Sequence, residues 1–226
     1  MRWVVGGDSF VRAYHSVLRN KGSAGVDGVK TEDLPRYLMH HWEQTKAELE
    51  QGTYQPQLVR GVKIPKPNGG VRQLGIPTVM DRIVQGAIHQ TISPIWEKHF
   101  SEYSYGFRPK RDAHQALLKA QEYINAGRQW IIDLDLKSFL DRVHHDYLMS
   151  LLSQRIGDKT LLRLIGKFLR SGILQNGAIQ SRTEGTPLLL SELLGSIKRC
   201  MDGLTISNMP LVIRNSKNWM LGYAAV

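Results

Sequence analysis

The stretch Trp130-Ile131-Ile132-Asp133-Leu134-Asp135-Leu136-Lys137-Ser138-Phe139-Leu140-Asp141 opens on aromatic and β-branched residues and sets carboxylates inside an apolar run. That composition predicts a strand. Side chains alternate along a strand, so Trp130, Ile132, Leu134 and Leu136 share one face, and Ile131, Asp133, Asp135 and Lys137 share the other. Two carboxylates on one face of a buried strand are costly unless a cation meets them. A divalent metal such as Mg²⁺ meets that need, because hard cations take oxygen ligands and bring phosphates with them. An edge strand with solvated acids, or an Asp paired to an Arg, is the blander account, and this stretch alone does not exclude it.

The chain around it has 226 residues, enough for one sizeable domain or two small lobes with a proper core. Hydrophobic residues at 42% and charged residues at 22% describe an ordinary globular composition. Thirty Lys and Arg against twenty Asp and Glu leave a formal charge of +10. Such an excess suits a polyanionic partner, nucleic acid being the commonest. The single cysteine, Cys200, excludes an internal disulfide framework and a cysteine-rich zinc site. No apolar run approaches the roughly eighteen residues of a membrane span. The expected partner set therefore includes no membrane, and the expected location is cytoplasmic.

Upstream, Asp8 reads as the N-cap of a helix stopping near Gly22, and Gly25-Val26-Asp27-Gly28 reads as a turn-rich loop. Thr31 is expected to cap a helix with Pro35 in its first turn and Gly52 at its end. His40 and His41 point to different faces of that helix and read as surface histidines. Residues 57–76 form a predicted two-stranded ribbon, with Asn68-Gly69 as its turn signal and Arg60, Lys66 and Arg72 on or beside it. Cations on a hairpin suit gripping a triphosphate, Arg by forking two oxygens and Lys as a point charge. A solvated hairpin edge protected by charge fits them as well.

Asp81 opens a predicted amphipathic helix that breaks near Pro94. The loop Tyr103-Ser104-Tyr105-Gly106-Phe107-Arg108-Pro109-Lys110-Arg111 interleaves aromatics with cations, a composition suited to a nucleic-acid strand. Asp112 and Gln115 then make a capping-box-like start to a helix that Gly127 stops. Beyond the central strand, Asp146 reads as the N-cap of a helix, with His145 a packing histidine beside it. Asp158 caps a further helix closed by Gly172. Gly177 to Arg182 is strand-like, and Glu184-Gly185-Thr186-Pro187 reads as a turn.

Several motifs in order now carry a resemblance. They are Gly25-Val26-Asp27-Gly28, Ile64-Pro65-Lys66-Pro67-Asn68-Gly69 with Arg72, Leu74-Gly75-Ile76-Pro77, Asp81-Arg82-Ile83-Val84-Gln85 and Tyr105-Gly106-Phe107-Arg108-Pro109. Asp133-Leu134-Asp135 with Phe139 and Asp141, then Glu184-Gly185-Thr186-Pro187, complete the series. Over about residues 20 to 187 the chain resembles the reverse transcriptase domain of group II intron-encoded proteins, the reverse transcriptase/maturase family.

That resemblance implies an α+β fold: right-hand polymerase fingers with an incomplete palm, helix-rich, with a β-hairpin and a small antiparallel palm sheet. It implies a helical N-terminal extension over residues 1–56, fingers over 57–129, the start of the palm over 130–187 and a divergent tail over 188–226. By the same resemblance Asp135 is the catalytic, metal-binding carboxylate, with the Leu136 backbone carbonyl as a second Mg²⁺ ligand and Asp133 a structural neighbour. Lys66 and Arg72, with Arg60 beside them, are the expected triphosphate-binding residues. Gly25 and Asp27, in the N-terminal extension, are expected to contact RNA, as are Arg108, Lys110 and Arg111. The implied partners are an RNA template, intron RNA among them, a DNA primer and deoxynucleoside triphosphates.

Two departures from the family pattern stand in the sequence. The aromatic that screens the sugar 2′-position is expected five residues after Asp135, where Leu140 stands with Phe139 beside it. After Glu184-Gly185-Thr186-Pro187 the Gln-Gly loop and the Tyr-Ala-Asp-Asp strand pair do not follow; Tyr223-Ala224-Ala225 echoes the second without a carboxylate. The tail reads as a different reading frame or a replaced end. The expected function is RNA-directed DNA polymerase of group II intron type in a truncated chain inactive alone, and the alternative is a non-catalytic RNA-binding module.

Overall fold

A computed structural model describes residues 1–65, 69–128 and 139–185, without the side chains of Arg2, Trp3, Arg72, Phe139 and Leu140. Its described residues fall in two compact units, the first drawn from Met1–Ile92 and Leu140–Ser191, the second from Ser93–Phe139. In order, the elements are α1 (Arg2–Val5), α2 (Asp8–Asn20), α3 (Leu34–Gln51), β1 (Val59–Pro65), β2 (Val71–Ile76) and α4 (Val79–Glu97). There follow α5 (Ala113–Asn125), a 3₁₀ turn at Phe139–Arg142, α6 (His145–Ser153), α7 (Lys159–Arg170), β3 (Ile173–Gln175) and β4 (Ala178–Gln180). The helix-rich α+β class expected from the sequence is the one observed.

The first unit is built on a four-stranded sheet in the order β2-β1-β3-β4. β1 and β2 pair antiparallel from Arg60↔Ile76 to Pro65↔Val71, the expected ribbon. Gly69 and Gly70 both take positive φ at its turn. The sheet is mixed rather than purely antiparallel, because β1 also pairs parallel with β3 through Val59↔Ile173 and Arg60↔Leu174. Apolar side chains of α3, α4 and α7 close the core, with Leu34, Leu49, Ile83, Ile88, Ile165, Phe168 and Leu169 all buried. α7 needs this arrangement, since its apolar stripe Leu161, Leu164, Ile165, Phe168 and Leu169 follows the helical period.

Four local expectations are corrected. Asp8 is the first residue of α2, and Gly7 occupies the cap without a side-chain bond. Thr31 starts a 3₁₀ turn, Thr31–Asp33, and makes no cap bond to α3. Pro94 lies inside α4 rather than ending it. A helix-interior proline costs about 3 kcal/mol, yet α4 runs on to place Trp96 at 3% exposure. His144, not Asp146, caps α6, its ring nitrogen accepting from Tyr147 N at 3.4 Å. Elsewhere the caps fall where expected. Asp158 accepts from the N–H groups of Thr160 and Leu161, Asp112 from that of Gln115, and Gly52 ends α3 in the left-handed region. Among the described residues no helix is long and apolar enough to cross a membrane.

Candidate nucleic-acid interface

In the first unit, the loop carrying Gly25 and Asp27 is fastened to the start of α4. Arg82 donates from Nε to Pro77 O at 3.0 Å, and its Nη2 donates to Ser23 O. Gly25 is buried, and a Cβ added there would lie 2.6 Å from Thr78 Cα. Glycine is thus required for the backbones to touch. Asp27 Oδ1 accepts from Val29 N at 3.2 Å, a local turn bond. Burial lowers the Arg82 guanidinium from its ordinary value, Asp27 opposes that, and Arg60 adds to it. Gly25 and Asp27 therefore hold the loop in shape. Arg60 projects from β1, half-buried, with its Nε lacking a hydrogen-bond partner among the described residues.

Directly beneath that loop lies a carboxylate the sequence did not single out as functional. Asp81 is 1% exposed and accepts from Tyr54 Oη at 2.8 Å, Thr78 Oγ1 at 2.8 Å and the Gln57 backbone N–H at 3.1 Å. Thr78 Oγ1 in turn accepts from Asp81 N at 3.2 Å, as an N-cap does. Burial pushes the Asp81 carboxyl up to about 6, against the three hydrogen bonds, which favour its charged form. The Tyr54 hydroxyl is raised by burial and by the Asp81 charge. One side chain thus ties the entry of β1 to the first turn of α4.

In the same unit, the Glu184-Gly185 turn is clamped to the segment that follows the central stretch. Gly185 N donates to Val143 O at 2.9 Å, and buried His145 holds Gly185 O through Nε2 at 2.7 Å. The φ of Gly185 is +80°, and a Cβ there would sit 2.8 Å from Asp141 O. His145 is the packing histidine expected, with a carbonyl partner forty residues away. Arg182 beside this turn is lowered by burial and supported by the Asp141 charge; its Nη1 is buried without a partner among the described residues.

The second unit carries the aromatic–cationic loop. Arg108 is turned inward, its side chain 7% exposed. Its Nε and Nη2 both donate to Glu97 Oε1, at 2.9 and 2.7 Å. Nη1 donates to Ser101 O at 2.6 Å and Ser104 O at 3.0 Å, and the guanidinium stands over the Phe100 ring at 5.2 Å. Arg108 is committed to protein acceptors and fixes the loop. Lys110 is exposed, with φ +61°, and Arg111 lies over the Tyr105 ring at 5.4 Å.

Of the other expected site residues, Lys66, Asp133, Asp135 and Leu136 lie outside the described residues. Arg72 is placed in β2 opposite Ile64 by its backbone. Phe139 and Leu140 are placed in the 3₁₀ turn Phe139–Arg142. Among the described residues no group of three or more His, Cys, Asp or Glu could hold a metal. Arg82, Asp81 and Arg182 were missed as contributors. Asp81-Arg82 stood within a quoted motif, but only the fold shows that both side chains turn inward.

Residues 64–188 match the family described as Reverse transcriptase (RNA-dependent DNA polymerase). The chain belongs to the reverse transcriptase family. It is 37% identical over 205 residues to Protein YkfC of Escherichia coli, covering 87% of this chain and 54% of that protein. To the group II intron-encoded protein LtrA of Lactococcus lactis it is 34% identical, covering 87% of this chain and 33% of LtrA. The group II intron reverse transcriptase/maturase assignment drawn from the motifs agrees with these relatives. A solved partial Cas6-RT-Cas1–Cas2 complex shares the fold, with a TM-score of 0.56 and 20% identity over 93% of this chain and 36% of its own. The chain spans about half of YkfC and a third of LtrA.

Proposed function

We propose that this chain supplies the fingers and the beginning of the palm of an RNA-directed DNA polymerase of the group II intron type. The observation that carries this reading is the family match over residues 64–188, a span that includes Lys66, Arg72 and Asp135. The reaction of that class is in-line attack of a primer 3′-oxygen on the α-phosphate of a deoxynucleoside triphosphate, with pyrophosphate leaving. Asp135 and the Leu136 carbonyl, hard oxygen donors suited to Mg²⁺, would hold the ion, which supplies charge stabilisation to the attacking and leaving oxygens. Lys66, Arg72 and Arg60 bind the triphosphate. Arg60 Nε, buried without a hydrogen-bond partner among the described residues, supports that role. Residues 1–56 and the loop 103–111 meet the RNA, Lys110 and Arg111 through its phosphates. Leu140 and Phe139 stand at the sugar 2′-position.

A second acidic motif is absent from this sequence, whose Tyr223-Ala224-Ala225 carries no carboxylate. By this reading the residues of this sequence bind RNA, and Asp135 without a second acidic motif is not expected to support primer extension. Primer extension on an RNA template, run beside RNA binding with Asp135→Ala as control, tests this. The expected result is salt-sensitive RNA binding, unchanged in the variant, with no extension by either protein. Asp135-dependent extension would overturn the expectation that these residues do not extend a primer. Absence of RNA binding would overturn the reading altogether.

A further inference from the structure

Helix α7 divides its residues sharply by chemistry. Leu161, Leu164, Ile165, Phe168 and Leu169 are buried, and every charged residue of Lys159–Arg170 is a cation: Lys159, Arg163, Lys167 and Arg170. Lys167 is committed within the fold, donating to Gly52 O at 3.0 Å and Tyr54 O at 2.8 Å. The other three are exposed. Spacings of four and seven residues set them in one row along the helix, about 16 Å from end to end. Among the described residues no acid pairs with any of them. Helix chemistry does not account for the row. Like charges four residues apart weaken a helix by about 0.2–0.5 kcal/mol. The macrodipole favours Arg170 in the last turn but disfavours Lys159, which is the first residue. Both guanidiniums lie low against the helix. Arg163 donates back to Lys159 O and Thr160 Oγ1, each at 3.3 Å. Arg170 rests on Gly166, where a Cβ would meet its Nη2 at 3.0 Å and its Cζ at 3.5 Å. Glycine inside a helix costs about 1 kcal/mol relative to alanine, so the seat beneath Arg170 is kept open at the expense of the helix.

We propose that the row Lys159, Arg163 and Arg170 on α7 is a contact surface for the phosphates of an RNA double helix. This rests on the RNA-binding reading above and adds to it a surface outside residues 1–56 and the loop 103–111, together with the form of RNA that it takes. A duplex is read largely by shape and by its phosphates, and it presents them in stiff, regular rows. Cations fixed in line on a rigid helix match such a row without further ordering on either side. A single strand is held by cations together with exposed aromatic rings on which its bases stack. The one aromatic residue of α7, Phe168, is buried. An anionic membrane surface would draw the same charges but takes apolar side chains beside them into its interface, and those of α7 face the core.

The test compares the full chain with the triple variant Lys159→Gln, Arg163→Gln, Arg170→Gln across a potassium chloride series. Its probes are a blunt RNA duplex, an unstructured single strand of equal phosphate number, and vesicles containing phosphatidylserine. Each phosphate contact adds about 0.9 to the slope of log affinity against log salt, so the duplex slope should fall by about 2.7 in the variant. The slope for the single strand should stay as it is in the parent, because other segments meet that probe. The three single variants should each lower the duplex slope by about 0.9, and Arg170→Lys should preserve it. Equal losses on duplex and single strand would mark a general effect of net charge; the proposal would then fall while the RNA reading stands. An unchanged duplex slope would have the same meaning, and if vesicle binding alone were lost, the row would belong to a membrane surface. If the parent chain binds neither RNA, both readings fall.

Discussion

Asp81→Asn isolates the energetic role of the buried carboxyl beneath the Gly25 loop. Asn keeps the shape and one acceptor oxygen but does not titrate. Burial raises the folded-state value to about 6 from the ordinary 3.8. A raised folded value means that protonation favours the folded state, fully below 3.8 and not at all once the pH has passed 6. Between those limits the linkage integrates to about 2 kcal/mol of stabilisation at pH 4.5 and almost nothing at pH 7.5. The stability of the parent relative to Asp81→Asn should therefore fall by about 2 kcal/mol as the pH rises from 4.5 to 7.5. Urea unfolding of both proteins at the two pH values measures it, as a relative midpoint shift of about 1 M for an m-value near 2 kcal/mol/M. Taking the difference between the two proteins removes the titrating groups that do not feel the Asp81 charge. A relative stability that stays level or rises with pH would refute the reasoning. It would mean that the bonds from Tyr54, Thr78 and the Gln57 N–H outweigh burial and hold the carboxyl charged.

Two further substitutions test the packing that shapes the interface. Gly25→Ala places a Cβ 2.6 Å from Thr78 Cα, and forcing the loop away should cost about 1–3 kcal/mol in urea unfolding; an unchanged midpoint would show that the loop is not pressed on α4. Arg108→Lys keeps the charge but cannot reproduce the fork to Glu97 and two carbonyls. Amide exchange over residues 101–111 should quicken by about tenfold, equivalent to roughly 1.4 kcal/mol of local stability. Unaltered exchange would mean that the loop holds its shape without the guanidinium.

Features set by neighbours in sequence were legible in the sequence. The Asp112 and Asp158 caps, the left-handed Gly52 and the β1–β2 ribbon each depend on a few adjacent residues, and each is where the local chemistry put it. What escaped depends on partners far away. Pro94 looked like a helix end because its own backbone argues for one, whereas Trp96 beyond it is buried. Three residues of β3 carry too little pattern to announce a strand, and their partner in β1 is remote. Arg108 reads as an RNA contact by composition; only the arrangement of Glu97, Ser101 and Ser104 around it shows that four of its five N–H donors meet protein acceptors. Lys110, whose sequence signal is the same, is exposed, and Arg111 stands over the Tyr105 ring.

The parallel pairing of β1 with β3 bears on how this protein is made. Val59 and Arg60 leave the ribosome about a hundred residues before Ile173 and Leu174, with which they pair. At elongation rates of about 5–20 residues per second that interval is on the order of 5–20 s. Throughout it, Val59 and Arg60 lack their partners in β3, and Ile64 and Val71 at the hairpin's tip are exposed even in the finished fold. An unpaired apolar edge recruits other strands. Nascent chains stalled between residues 76 and 173 are therefore the species most in need of a chaperone, and ribosomes crowded on one message would bring such edges within reach of one another.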